Sequence, residues 1–176
     1  MATAQKFFNE IEQELGVGMV PRLFKLLEDQ PVLLGHIWGQ FRMVVLQGSL
    51  PRIIKEMVGL VIATATHCDY IRVVHLHSLS IQGVDERTLK LFREGNYTAT
   101  ELSSATRAAL RFADSSAETR AAYVTEAWPE SRAQTAKALA ETDLDEVETA
   151  ELVLTVALFE QLCTIANLLV LDPSQP

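Results

Sequence analysis

Cysteine is scarce in this chain. Cys68 and Cys163 are the only two in 176 residues and lie 95 positions apart, which excludes a disulfide-stapled secreted scaffold and a four-cysteine zinc site. At this length a folded chain hides roughly 70% of the surface its unfolded form exposes, so a full core needs no staples. Basic charge is scarce as well: 15 Lys and Arg stand against 23 Asp and Glu, for a formal net charge of -8. No Lys or Arg stripe is available to neutralise phosphates, so no nucleic-acid partner is expected. Long apolar runs are also missing. The best, from Leu152 to Leu171, is interrupted by Glu160, Gln161 and Asn167, which argues against a membrane span. The first fifteen residues have no basic segment leading into an apolar one, so the sequence reads as cytoplasmic. A Gly-rich phosphate loop, a G-x-S-x-G elbow and an H-E-x-x-H helix are all absent. Asp143, Asp145 and Glu146 lack the Gly and closing Glu of an EF-hand loop, so no metal and no cofactor are expected.

What is present is helical punctuation. Apolar residues recur at spacings of three and four almost throughout, and no stretch alternates long enough for a sheet. The pattern predicts an all-α fold in a single domain over residues 1–176. Expected helices run from Thr3 to Leu15, Pro21 to Asp29, Pro31 to Gln47 and Pro51 to Ala65. Further helices are expected from Thr66 to Gln82, Asp85 to Glu94, Thr100 to Ala113, Thr119 to Ala127, Pro129 to Ala140 and Asp145 to Leu171. Thr66 followed by Asp69 has the spacing of a capping box, which would put His67 and Cys68 in a first helical turn. The segment 51–65 is apolar nearly all round, as a helix buried on several sides must be. All of the excess negative charge lies beyond residue 100.

Three residues could carry chemistry. At about 100° per residue, Ile71 falls roughly 60° and His75 roughly 20° from Cys68, so the three share one helix face while His77 points away. A thiol at a helix start is drawn toward thiolate, although a lone Cys in an apolar helical chain, as Cys68 is, more often serves as a small buried hydrophobe. His75 is of a residue type able to exchange protons near neutral pH and could move a proton on that face, or serve as a structural histidine. Glu56 sits among Ile53, Ile54, Met57, Val58 and Leu60. It is either buried, paired and usable as an acid or base, or an exposed partner of Arg52 at a solvated edge beside Lys55. Cys163, within LFEQLCTIANLL, reads as core packing.

Together, Glu56, Cys68 and His75 resemble the E-x11-C-x2-C-x3-H pattern of AhpD-like alkylhydroperoxidases in the carboxymuconolactone decarboxylase superfamily. The segment LPRIIKEMVGLVIATATHCDYIRVVHLHSLSIQG, about residues 50–83, is similar in frame as well, with L-P before the Glu helix and Gly after the next. The flanks, from about 31 to 171, resemble the peroxidase-related branch. The resemblance implies an AhpD-like bundle of roughly eight to ten helices and catalytic roles for Cys68, His75 and Glu56. It also implies assembly as a homo-oligomer. The chain departs from the pattern at Ile71, where the dithiol members have their peroxide-attacking cysteine. Isoleucine has no lone pair to attack an O–O bond, so the dithiol cycle cannot run there.

Three readings follow. One is weak or absent peroxidase chemistry on Cys68 alone, taking an organic hydroperoxide. Another is non-redox acid/base catalysis, decarboxylase-like, by Glu56 and His75 on a small carboxylated or cyclic molecule. The third is a catalytically silent oligomeric binding protein.

Overall fold

The computed structural model describes residues 3–97 and 102–175, and among these there are nine α-helices, one π-helical turn and no strand. The helices are α1 (Ala4–Leu15), α2 (Arg22–Lys25), α3 (Pro31–Phe41), α4 (Arg52–Ala65), α5 (Asp69–Ile81), α6 (Glu86–Arg93), α7 (Ser104–Ala122), α8 (Trp128–Ala140) and α9 (Glu146–Leu168). The π turn, Arg42–Leu46, continues α3 directly. The all-α expectation and its number of helices therefore hold.

The all-round apolar segment becomes the centre of the bundle. Every residue of α4 from Lys55 to Ala63 is buried, and the helix packs against α5, α7 and α9. Such a helix must meet neighbours on several sides, and one small residue lets α9 come close. A Cβ on Gly59 would lie 2.8 Å from ring atoms of Phe159 on α9. Asp145 and Glu148 form a capping box that starts α9, where the sequence places the start of its last helix. By length and composition α9 could cross a bilayer; here Leu152, Val156, Phe159, Leu162 and Ala166 are buried in the core.

Lys55 is not at a solvated edge. It is 1% exposed, and its ammonium donates to the Val44 carbonyl at 2.9 Å, to the Gln47 carbonyl and to the Glu151 carboxylate. Glu151 in turn accepts from the backbone N–H of Ser49 at 2.8 Å and of Leu50 at 3.3 Å. Buried charges need this kind of pairing. The π turn frees backbone carbonyls, and the lysine satisfies one of them, tying the turn and the 47–50 loop to α4 and α9.

Several boundaries differ from the sequence reading. Helix α2 is one short turn, because the chain passes into turns after Lys25. α7 runs unbroken to Ala122, since no Gly or Pro interrupts it near residue 114, and residues 123–127 are turn rather than helix. Its start is Ser104, capped by the Ser103 hydroxyl on the Thr106 N–H at 3.1 Å; the expected start at Thr100 lies outside the described residues. Thr66 does not open a helix but closes α4, its N–H and hydroxyl both donating to the Ile62 carbonyl. His67 then takes a left-handed φ of 51°, and Cys68 is the N-cap of α5.

Gly59→Ala should force Phe159 aside and destabilise the fold by about 1–3 kcal/mol, the usual cost of overpacking a core. Urea unfolding of the variant beside the parent protein measures it, and unchanged stability would mean that the α4–α9 contact gives way easily.

Candidate functional site

A cavity of about 360 Å³ lies between α5, the start of α4 and the 14–24 segment that joins α1 to α2. One end is polar, with Arg52, Glu56, His75, His77, Ser78 and Gln82. Much of the remainder is apolar, with Leu15, Met19, Val20, Phe24, Phe41, Ile71, Val74 and Leu162 among its walls. Ile71, His75, Ser78 and Gln82 follow one another at helical spacing, so α5 offers a continuous stripe to the cavity. The N-terminal wall is tied to α5 by the Leu23 N–H, which donates to the buried Tyr70 hydroxyl at 3.1 Å.

Glu56 is the centre of the polar end. It is 1% exposed, so the exposed-pair alternative is overturned, yet Arg52 is still its partner. The Arg52 Nε donates to Oε1 at 2.6 Å, Gln82 Nε2 donates to the same oxygen at 2.9 Å, and His75 Nδ1 lies 3.2 Å from Oε2. Arg52 also reaches the Ser78 hydroxyl at 3.3 Å. Burial by itself would push the Glu56 carboxyl up. The hydrogen bond and charge of His75, with Ser78 and Arg52, outweigh that and hold it down at about 2. An ionised carboxylate facing Nδ1 requires a proton there, which leaves Nε2 as the ring nitrogen able to exchange one. Phe159 packs edge-on against the His75 ring, with centroids 4.7 Å apart, and fixes its plane.

The structure thus brings Glu56 and His75 together. Cys68 is not among the residues that line the cavity. As an N-cap it lies just outside the helix, so helical spacing does not govern its direction, and its buried thiol hydrogen-bonds with that of Cys163 on α9. That bond, helped by the Ile71 and Tyr70 N–H groups, lowers Cys68 to about 7 against the opposing effect of burial. The same bond, with burial, raises Cys163. His77 is exposed and contributes to the cavity wall, although its helical direction suggested the opposite side. Ser78, Gln82 and Tyr70 were missed in the sequence. Ser78 and Gln82 could have been found three and seven residues beyond His75, on its own face. Among the described residues, no three His, Cys, Asp or Glu side chains gather as metal ligands.

Residues 33–115 match the sequence model of the carboxymuconolactone decarboxylase family. No protein of curated function matches the sequence. Several solved structures share the fold. A Cys-to-Ala variant of the debrominase Bmp8 in complex with 2,3,4-tribromopyrrole superposes with a TM-score of 0.76 at 20% identity, covering 96% of this chain and 83% of that one. A peroxidase-related protein of Silicibacter sp. TM1040 gives 0.74 at 19% identity over 96% and 83%. An alkylhydroperoxidase AhpD core protein of Ralstonia eutropha JMP134 gives 0.72 at 22% identity over 93% and 80%.

A carboxyl held at about 2, below its ordinary 4.5, stabilises the fold fully above pH 4.5 and loses that contribution as pH falls toward 2. The native protein should therefore lose up to about 3 kcal/mol over that interval that Glu56→Gln does not lose. Denaturant midpoints of both proteins from pH 6 down to about pH 3, by which point about 2 kcal/mol of that loss should have appeared, give the comparison. Parallel curves would show that Glu56 is not ionised in a paired state.

Proposed function

Since residues 33–115 match the carboxymuconolactone decarboxylase family model and the fold is shared with AhpD-like proteins, we propose that the chain is a peroxidase-related member of that superfamily without dithiol hydroperoxidase chemistry. Its cavity instead moves protons through Glu56 and His75. The observation that carries this reading is what lines the cavity. Ile71 stands at the position that the resemblance gives to the second cysteine and is part of the wall, whereas Cys68 is not.

With Nδ1 held by Glu56, the Nε2 of His75 can take a proton from a bound molecule and return it. The imidazolium that forms meanwhile is stabilised by the ionised carboxylate 3.2 Å away. Arg52, Ser78 and Gln82 supply polar groups at the same end, and the apolar walls suit a small molecule with a largely apolar body, such as a cyclic carboxylate. The same reading makes the protein a cytoplasmic homo-oligomer. Val17, Val32, Val124 and Val170 are each at least 70% exposed, apolar surface of the kind a second copy would cover.

Three measurements bear on this. Nitrogen-15 spectra of the histidines should find neutral His75 protonated at Nδ1, and an Nε2–H tautomer would remove the Glu56–His75 relay. In a hydroperoxide assay with dithiothreitol, the native protein should stay near the buffer rate while Ile71→Cys gains turnover; native turnover equal to the variant's would overturn the proposed loss of dithiol chemistry. Sedimentation at micromolar concentration should give a species heavier than 19.5 kDa, and a monomer there would end the oligomer expectation.

A further inference from the structure

The outer side of α9 has the spacing of a coiled-coil seam. Val147, Ala150, Leu154, Ala157, Gln161, Thr164 and Leu168 are all exposed and follow one another at alternating intervals of three and four. That average of 3.5 residues is the mark of a helix packed lengthwise on another helix. The seam runs for about 30 Å, and Val147, Leu154 and Leu168 on it are 65%, 53% and 79% exposed. It is also free of charge, in the part of the chain that holds all of the excess negative charge. From Val147 to Leu168 the charged residues are Glu148, Glu151 and Glu160, and each is engaged away from the seam. Glu148 accepts from the Asp145 N–H at 3.2 Å, Glu151 holds Lys55, and Glu160 pairs with Arg120 at 3.5 Å. Only Glu146, one residue earlier, stands at the outer end. A helix face that stays in water carries charged and polar residues instead.

On the reading that the protein is a homo-oligomer, we propose that this seam is the contact between two copies, their α9 helices lying antiparallel across a two-fold axis at Ala157. The seam is self-complementary about that point. Turned end over end, it sets Val147 against Leu168, Ala150 against Thr164, Leu154 against Gln161 and Ala157 against itself, as a contact made by the same surface on both copies requires. The larger residues fall toward the ends, and the small Ala157 pair falls at the crossing, where the helix axes come within about 8–10 Å. Charge selects the occupant. A basic partner calls for carboxylates on the face, and an anionic bilayer calls for Lys or Arg there. The seam offers neither, whereas a second copy brings the same uncharged seam and no like-charge contact. The opposite side of α9 places Phe159 against the His75 ring, so the helix that joins the copies is also the one that holds His75 in its plane.

Ala157→Glu sets two carboxylates together on the axis and leaves the core untouched. In sedimentation velocity at micromolar concentration the expected result is half the native mass, with an unchanged helical circular-dichroism spectrum. Ala157→Cys decides the matter independently of how that variant folds. Mild oxidation should join two chains through position 157 on a non-reducing gel, while the same treatment of Lys90→Cys, exposed on α6, should leave the chains single. Undiminished mass in Ala157→Glu, or no disulfide through position 157 in an assembly of native size, would overturn this interface and leave the homo-oligomer reading standing. A native monomer would overturn both, and a monomer that floats with phosphatidylcholine vesicles would assign the face to a bilayer instead.

Discussion

The burial of one ionised carboxylate organises this site. Taking Glu56 out of water carries an effective penalty of several kcal/mol, and only close charged and hydrogen-bonding partners offset it. Those partners come from two elements: Arg52 one turn earlier on α4, and His75 and Gln82 on α5. Removing any one leaves part of the charge unsatisfied in a dry setting, so the carboxylate fixes how α4 and α5 sit against each other. The polar end of the cavity follows from that constraint, because the side chains that satisfy Glu56 are the ones that line it.

The neighbouring residue acts in another direction. Successive helix positions diverge by about 100°, so Lys55 and Glu56 leave α4 toward different surroundings. Lys55 meets the π turn, the 47–50 loop and Glu151 of α9, whereas Glu56 meets α5. Two buried charges of opposite sign, each with its own partners, set the rotation of α4 about its axis more firmly than apolar packing could. A rotation that improved one pair would break the other. Gly59 complements this by letting Phe159 close in from α9, and Phe159 in turn holds the His75 ring. The orientation of His75 is thus determined by three helices.

Much of this was legible in the chain. The helical class, the start of the last helix at Asp145 and the nearly all-round apolar character of residues 51–65 follow from local periodicity and residue type, whereas the grouping of positions 56 and 75 comes from the resemblance to the AhpD-like pattern. The partners of Lys55 were not, because a lysine between an isoleucine and a glutamate looks solvated unless one knows that Val44, Gln47 and Glu151 converge on it from 8 to 96 positions away. The cavity wall from residues 14–24 was hidden for the same reason: it has no motif, and only tertiary packing brings it to α5. The contact of Cys68 with Cys163 spans 95 positions and leaves no local mark.

The fate of Cys68 shows where helical-spacing arguments stop. Ile71 and His75 obey the wheel because both lie inside α5, but Cys68 is at φ -99° and ψ 84°, outside the helical region. Thr66 ends α4 instead of starting α5, and His67 turns the chain through a left-handed conformation, so Cys68 arrives one residue before the helix begins. A side chain at that point is steered by the turn and not by the face of the helix that follows. It reaches α9 and the Cys163 thiol, leaving Ile71 as the first residue of α5's stripe toward the cavity. The thiol and the His75–Glu56 pair are therefore neighbours in sequence with different surroundings. The proton exchange proposed for the cavity would depend on α4 and α5, while the surroundings of Cys68 are set by the turn that precedes α5.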